Sequence, residues 1–137
     1  ALPFHPTHST ISTTYTCRIS IGPLLDPTTS RMVWHVVSDD FCAEAVQTAC
    51  AILQGRHDFS AFLGAPCETQ DRRKRHDTPC TLDHVRIRTV PPISAATFPA
   101  GMPRTVTMEI SVTGDRFLYK MVRLIAGALV AIGVGDL

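Results

Sequence analysis

Lysine and tyrosine are scarce in this chain, and long apolar runs are missing. Of 13 basic residues only Lys74 and Lys120 are lysine, and Tyr15 and Tyr119 are the two tyrosines. With 12 acidic residues the net charge is +1. That excludes a strongly basic, free-standing nucleic-acid binder of the histone kind but leaves room for a local basic patch. No stretch approaches the roughly 20 apolar residues of a membrane span. The longest, from Leu124 to Val134, is too short, and it lies at the wrong end to be a signal peptide. The five cysteines contain no C-x-x-C pair and are odd in number. Free thiols in a reducing compartment fit this better than a disulfide framework. His5 and His8, on an expected strand edge, form the one close pair with metal-ligand spacing, and structural zinc takes two such pairs; no metal site is expected.

What is present fits one globular domain. The 137 residues are 45% hydrophobic and 18% charged, which argues against disorder and for a single core. Ten prolines imply long connections. Eleven of the 13 basic residues are Arg, the residue suited to planar, bidentate contact with carboxylate or phosphate; nucleotide composition alone gives the same bias. The chain starts at Ala1 and stops at Gly135-Asp136-Leu137, directly after an apolar stretch. Both ends read as cuts, so residues 1–137 are expected to be one piece of a longer protein.

Residues 9–21 alternate Ile11, Thr13, Tyr15, Cys17 and Ile19 with Ser, Thr and Arg, the period of a half-buried strand. Met32 to Val37 reads as a second strand. Ser38-Asp39-Asp40 offers an N-cap for a helix from about Phe41 to Gln54, with Phe41, Ala45, Ala49 and Ile52 on one face, Val46 and Leu53 beside it, and Gly55 as its C-terminal cap. After Arg56 to Phe62 comes a polar loop from about Gly64 to Pro79. Leu82 to Val90 and Arg104 to Thr113 alternate again; in the latter Val106, Met108, Ile110 and Val112 share one side. Phe117 to about Ile132 is a nearly all-apolar helix expected to be buried on most sides. The order predicts an α+β fold: a mostly antiparallel mixed sheet with helices packed on one face.

Few residues in this pattern carry chemistry. Arg123 is a single guanidinium within an apolar helix, so it must be paired, sit in a cleft, or reach the helix edge. Tyr15 stands mid-strand among small polar residues, either packed or offering its ring to a ligand. Asp58 follows a helix, where an Asp usually caps local backbone amides, though it is also a candidate catalytic carboxylate. Arg72, Arg73, Lys74 and Arg75 form a basic tetrad between Asp71 and Asp77. Such a run is usually solvated, and becomes a phosphate contact only beside an active cleft.

HDFSAF (57–62) followed by FLYKMVRLIAGALVAIGVGDL (117–137) resembles the tRNA pseudouridine synthases of the TruA type. The second half of their catalytic domain carries HDF-x-x-F and then an F-[LV]-x-x-MVR-x-x-x-G-x-L helix ending in a Gly-containing turn. LPFHPTHS (2–9) is similar to the family's FHAR-x-S segment, and the strand through Tyr15 to its K/R-x-Y-x-Y strand. The resemblance runs from Phe4 to Leu137, with two motifs in the right order at the right separation.

The resemblance implies half of a pseudouridine synthase fold and a tRNA substrate. It implies an intracellular enzyme that isomerises uridine to pseudouridine without a cofactor. Arg123 matches the family's Arg that pairs with an Asp nucleophile, and Tyr15 matches the Tyr beside the target base. His57, Asp58, Lys120 and the tetrad from Arg72 to Arg75 are then candidate RNA contacts. The nucleophile belongs to a GRTDAGVHA-like motif upstream, which this sequence does not contain; a Gly-Leu segment that packs near the Tyr is missing too. The 137 residues alone are therefore expected to be silent. Four positions depart from the pattern. Thr7 replaces the Arg of FHAR, Thr13 a basic residue two before Tyr15, Cys17 the second strand Tyr, and Leu82 a further Arg. Most of these remove positive charge. The alternative is a non-catalytic RNA-binding or interaction domain on the same scaffold. Self-association through an exposed strand edge is also expected.

Overall fold

Alternating side chains at 13–21 and 106–114 pair as two of the three inner strands of a sheet. The computed structural model describes residues 3–6, 9–64, 77–91, 101 and 105–137. In chain order these form β1 (Thr13–Ile21), β2 (Trp34–Val36), α1 (Ala43–Leu53), β3 (Gly55–Asp58), β4 (Pro79–Val90), β5 (Val106–Gly114) and α2 (Met121–Val134), with a short 3-10 turn at Ser60–Phe62. The strands are ordered β2-β1-β5-β4-β3. β1 and β2 are parallel and the other neighbours antiparallel, so the fold is the mixed, mostly antiparallel α+β arrangement that the sequence implies.

One face of the sheet meets both helices. Tyr15 lies opposite Val112, Cys17 opposite Ile110 and Ile19 opposite Met108, while Ile110 and Val112 face Ile87 and Val85 on their other side. α2 places Met121, Ile125 and Leu129 on this layer at four-residue spacing, and α1 adds Val46 and Cys50. Each such large aliphatic side chain contributes about 1.5–3 kcal/mol by leaving water.

The helices differ from their sequence reading at their starts. α1 begins at Ala43, with no side-chain cap. The Ser38 hydroxyl instead donates to the Asp40 carbonyl at 2.9 Å, and the Cys42 amide donates to the Gly133 carbonyl at 2.8 Å. That bond brings the end of α2 so close that a Cβ on Gly133 would lie 2.2 Å from the Phe41 ring. Val46 and Cys50 are the fully buried residues of α1, Phe41, Ala49 and Leu53 pack against the core half-buried, and Ile52, expected on the same face, is 70% exposed. α2 begins at Met121 because Lys120 adopts a left-handed conformation (φ 58°). Within it only Arg123 and Leu124 are exposed, and its other residues are buried or half-buried.

Two features had no sequence signal. β3 is four exposed residues that become a strand by pairing with β4. β4 carries a bulge between Leu82 and His84. The extra residue lets Leu82 and Val85 both point into the core despite their odd separation.

The other face of the sheet is polar. Thr14, Thr113 and His84 form one row across β1, β5 and β4; Thr16, Ser111 and Arg86 form the next; Arg18, Glu109 and Arg88 form a third. Glu109 is 7% exposed and lies between the two arginines. Arg18 Nε donates to Glu109 Oε2 at 3.2 Å, and Arg88 donates to Oε1 through Nε at 3.1 Å and Nη2 at 2.7 Å. Hydrogen bonds first from Arg88 and then from Arg18 hold the Glu109 carboxyl below its ordinary range. A depressed folded pKa gives stability that is present above the unfolded value of about 4.3. It is lost as pH falls through the folded value. Thermal melts should therefore fall below roughly pH 5, and Glu109→Gln should flatten that fall. Asp58, also lowered by its hydrogen bonds, leaves part of the slope in place. Superimposable profiles for Glu109→Gln and the parent would refute this role.

Candidate active site

Strand pairing and a helix start bring the two principal sequence candidates together. Tyr15 points to the helix face of β1, as its partner Val112 shows. The turn after β5 returns Phe117 to it, with ring centroids 4.9 Å apart at 86°. This edge-to-face contact fixes the ring, yet 48% of Tyr15 stays exposed. The first turn of α2 closes the other wall. Tyr15, Cys17, Phe117, Lys120, Met121 and Arg123 line a cavity of about 390 Å³, within the ~300–1,000 Å³ range of small-ligand clefts.

The wall contributed by α2 is electropositive. Its first turn holds no acidic residue and its N-cap gives no side-chain bond, so the positive end of the helix dipole is uncompensated there. Lys120 and Arg123 add two cations at the same end. No ion pair joins Arg123 to a described residue. The arrangement suits an anion, carboxylate or phosphate, placed next to an aromatic ring. Arg123 thus lies at the mouth of a cleft, neither buried nor packed along a bare helix edge. No described carboxylate lines the cavity. Burial raises the pKa of the Cys17 thiol, which makes it a poor nucleophile.

Lys120 is held in its left-handed conformation from the side. The Gly64 amide donates to the Tyr119 carbonyl at 2.9 Å, and a Cβ on Gly64 would sit 2.9 Å from Lys120 Cβ. Gly64 therefore lets the segment after HDFSAF abut the turn that starts α2. His57 and Asp58 themselves stand elsewhere. They are on β3, three strand positions from β1, about 14 Å in the sheet. Asp58 Oδ1 accepts from the Ser60 amide at 3.0 Å and from the Thr78 hydroxyl. These bonds, that from Thr78 foremost, lower its carboxyl pKa. His57 Nε2 is 2.9 Å from the Gln54 carbonyl. Arg72, Arg73, Lys74 and Arg75 lie outside the described residues, as do Thr7 and His8. Of the other departures, Leu82 is a core residue at 1% exposure, Thr13 is half-buried, and Cys17 makes the cavity wall less polar. Sequence reading missed Phe117 as the partner of Tyr15 and Gly64 as the support of Lys120. The first could be found in the Phe that opens the MVR motif; the second had no signal.

A family model described as tRNA pseudouridine synthase matches residues 49–137. A tRNA pseudouridine synthase A 2 of Clostridium tetani is 30% identical over 135 residues, which cover 97% of this chain and 45% of the relative. A tRNA pseudouridine synthase A of Shouchella clausii is 30% identical over 132 residues, covering 96% and 42%. A tRNA pseudouridine synthase-like 1 of Mus musculus is 32% identical over 141 residues, covering 98% and 45%. The chain thus spans less than half the length of these curated relatives.

Proposed function

The chain belongs to the tRNA pseudouridine synthase family, and on that premise we propose that it is the C-terminal catalytic subdomain of an enzyme that converts uridine to pseudouridine in tRNA. It supplies Tyr15 and Arg123 to the active site but not the Asp nucleophile. The observation that carries this reading is the single cavity shared by Tyr15 and Arg123. The two are 108 positions apart in sequence (123 − 15), and each was singled out on separate grounds.

The isomerisation breaks the C–N glycosidic bond, turns the uracil and rejoins it to the ribose through carbon. A carboxylate must attack or stabilise the sugar or base, and it must stay ionised inside a cleft. Desolvation favours its neutral form, whereas a guanidinium within hydrogen-bond reach favours the charged one. The uncompensated end of α2 acts in the same direction. The target base must be flipped out of a folded stem and held, and the ring of Tyr15 offers a face for it. In this reading the Tyr15 hydroxyl takes the C5 proton. Lys120 at the cavity wall, the tetrad Arg72–Arg75, His57 and Asp58 are assigned to contacts with tRNA outside the chemistry. No cofactor enters this reaction, and the location is intracellular.

The 137-residue chain by itself should release no tritium from tRNA labelled at uridine C5, whereas the full-length protein should. Turnover by the isolated chain would overturn the division of roles, since Asp58 would have to act from β3. Full-length protein that binds tRNA without release would instead support the non-catalytic alternative, which the departures at Thr13, Cys17 and Leu82 favour. The isolated chain should also self-associate, because β2 and β3 are the outer strands of the sheet among the described residues and unpaired edges recruit partner strands. Light scattering that finds only monomer at high concentration would count against this.

A further inference from the structure

The polar face of the sheet lies on the side away from Tyr15 and Arg123, and nothing in the proposed reaction uses it. Arg18, Arg86 and Arg88 project from it beside the hydroxyls of Thr16 and Ser111. Within these three rows Glu109 is the one carboxylate, so the three guanidinia leave the rows a net charge of +2. The arrangement is built rather than incidental. Glu109 is buried at 7% exposure and bridges arginines from β1 and β4, two strand spacings apart, ~9.5 Å. Arg88 remains 67% exposed and Arg18 43%. Glu109 thus fixes two guanidinia in place without covering them. Arg86 Nη2 lies 3.3 Å from His84 Nδ1. Surface arginines free to move would lose side-chain entropy on meeting a ligand; these two have already lost much of it.

We propose that this face grips the sugar-phosphate backbone of RNA at a second surface, separate from the uridine cavity. The choice of RNA as occupant rests on the function proposed above. Arginine forks and hydroxyls are the groups that bind phosphate and ribose. The three rows carry no Phe, Tyr or Trp, so they offer none of those rings for stacking bases and read backbone rather than sequence. A second copy of this chain is a poor occupant, because two faces of charge +2 repel each other. The surface also supplies cations that the departures at Thr7, Thr13 and Leu82 remove from elsewhere.

The test is binding of the full-length chain to a uridine-free RNA hairpin, measured against salt. The hairpin cannot fill the uridine site, so the result does not depend on catalysis. Arg86→Gln should lower the slope of log affinity against log salt by about 0.7–0.9, the value of one lost phosphate contact. Arg86→Gln with Arg88→Gln should lower it by about twice that. Gln at 88 can still donate to Glu109, and Arg18 stays, so melting curves should confirm folding. Arg31→Gln, in the turn before β2, should change nothing, and Tyr15→Ala should keep the full slope. An unchanged slope in the double variant overturns the proposal. So does polyglutamate that competes as well as RNA, which would make the face a site for acidic protein. Loss of self-association in place of RNA binding also overturns it. A protein silent on tRNA whose hairpin binding still depends on Arg86 and Arg88 would sink the catalytic reading and leave this one standing.

Discussion

Arg123→Lys in the full-length protein is expected to reduce the rate of pseudouridine formation on the order of 10²-fold or more, with tRNA affinity nearly unchanged. The substitution keeps the charge and removes the fork. Lysine offers a mobile point charge where a carboxylate needs two parallel donors. The site accentuates the difference. Arg123 sits in the first turn of α2, where no acid offsets the helix dipole, and at the mouth of a cavity with no described carboxylate of its own. Among the described residues a guanidinium there has no ion-pair partner, and in the proposed reading another segment delivers the anion. Its loss should appear in kcat rather than in binding, because the paired carboxylate acts on the reacting atoms. Single-turnover tritium release together with filter binding separates the two quantities. A wild-type rate in Arg123→Lys would reduce Arg123 to a solvated arginine at the end of a helix, and its assigned role would fall with it.

The sequence made the sheet and the pairing of Tyr15 with Arg123 legible for different reasons. Alternation at 13–21 and 106–113 is a two-residue period that a half-buried sheet imposes, so β1 and β5 could be read directly. The helix starts could not. Ser38-Asp39-Asp40 is a good capping sequence, but the Cys42 amide finds the Gly133 carbonyl instead, a partner 91 residues away (133 − 42). The four-residue delay of α2 has the same origin. Lys120 takes a conformation disfavoured for a side chain, and it is held there by Gly64 and the Tyr119 carbonyl. The burial of Glu109 was hidden for a related reason. Alternation places it on the outer face, as found, and outer-face acids are normally solvated. Two arginines from neighbouring strands bury it, and strand order is invisible to a period of two. The proposed pair needed a motif: Arg123 and Tyr15 have ordinary structural explanations alone, and what supports more is that both line one cavity.

Tyr15→Phe should split the two tasks assigned to that ring. Phe keeps the aromatic face and its edge-to-face contact with Phe117, whose centroid lies 4.9 Å from that of Tyr15. If Tyr15 only stacks on the flipped base, binding and rate should both survive nearly intact. If its hydroxyl takes the C5 proton, as proposed, the variant should bind tRNA normally and cleave the glycosidic bond. It should then stall before the proton leaves, with tritium release reduced roughly 10²–10⁴-fold, the range of general acid–base contributions. The uracil would then be joined to the ribose through C5 with the C5 proton still in place, an isomer of both substrate and product, so the accumulating intermediate should be sought by nucleoside chromatography of the quenched RNA rather than by mass. Thr13→Val, two residues away on the same side of β1, is the control and should leave both steps unchanged. Tyr15→Leu completes the series by removing the ring as well. A fall in tRNA affinity for Leu but not for Phe would show that the face binds and the hydroxyl reacts. Equal behaviour of Tyr, Phe and Leu would mean that Tyr15 is only a strand residue packed on Phe117, and the proton would then have to leave through another base.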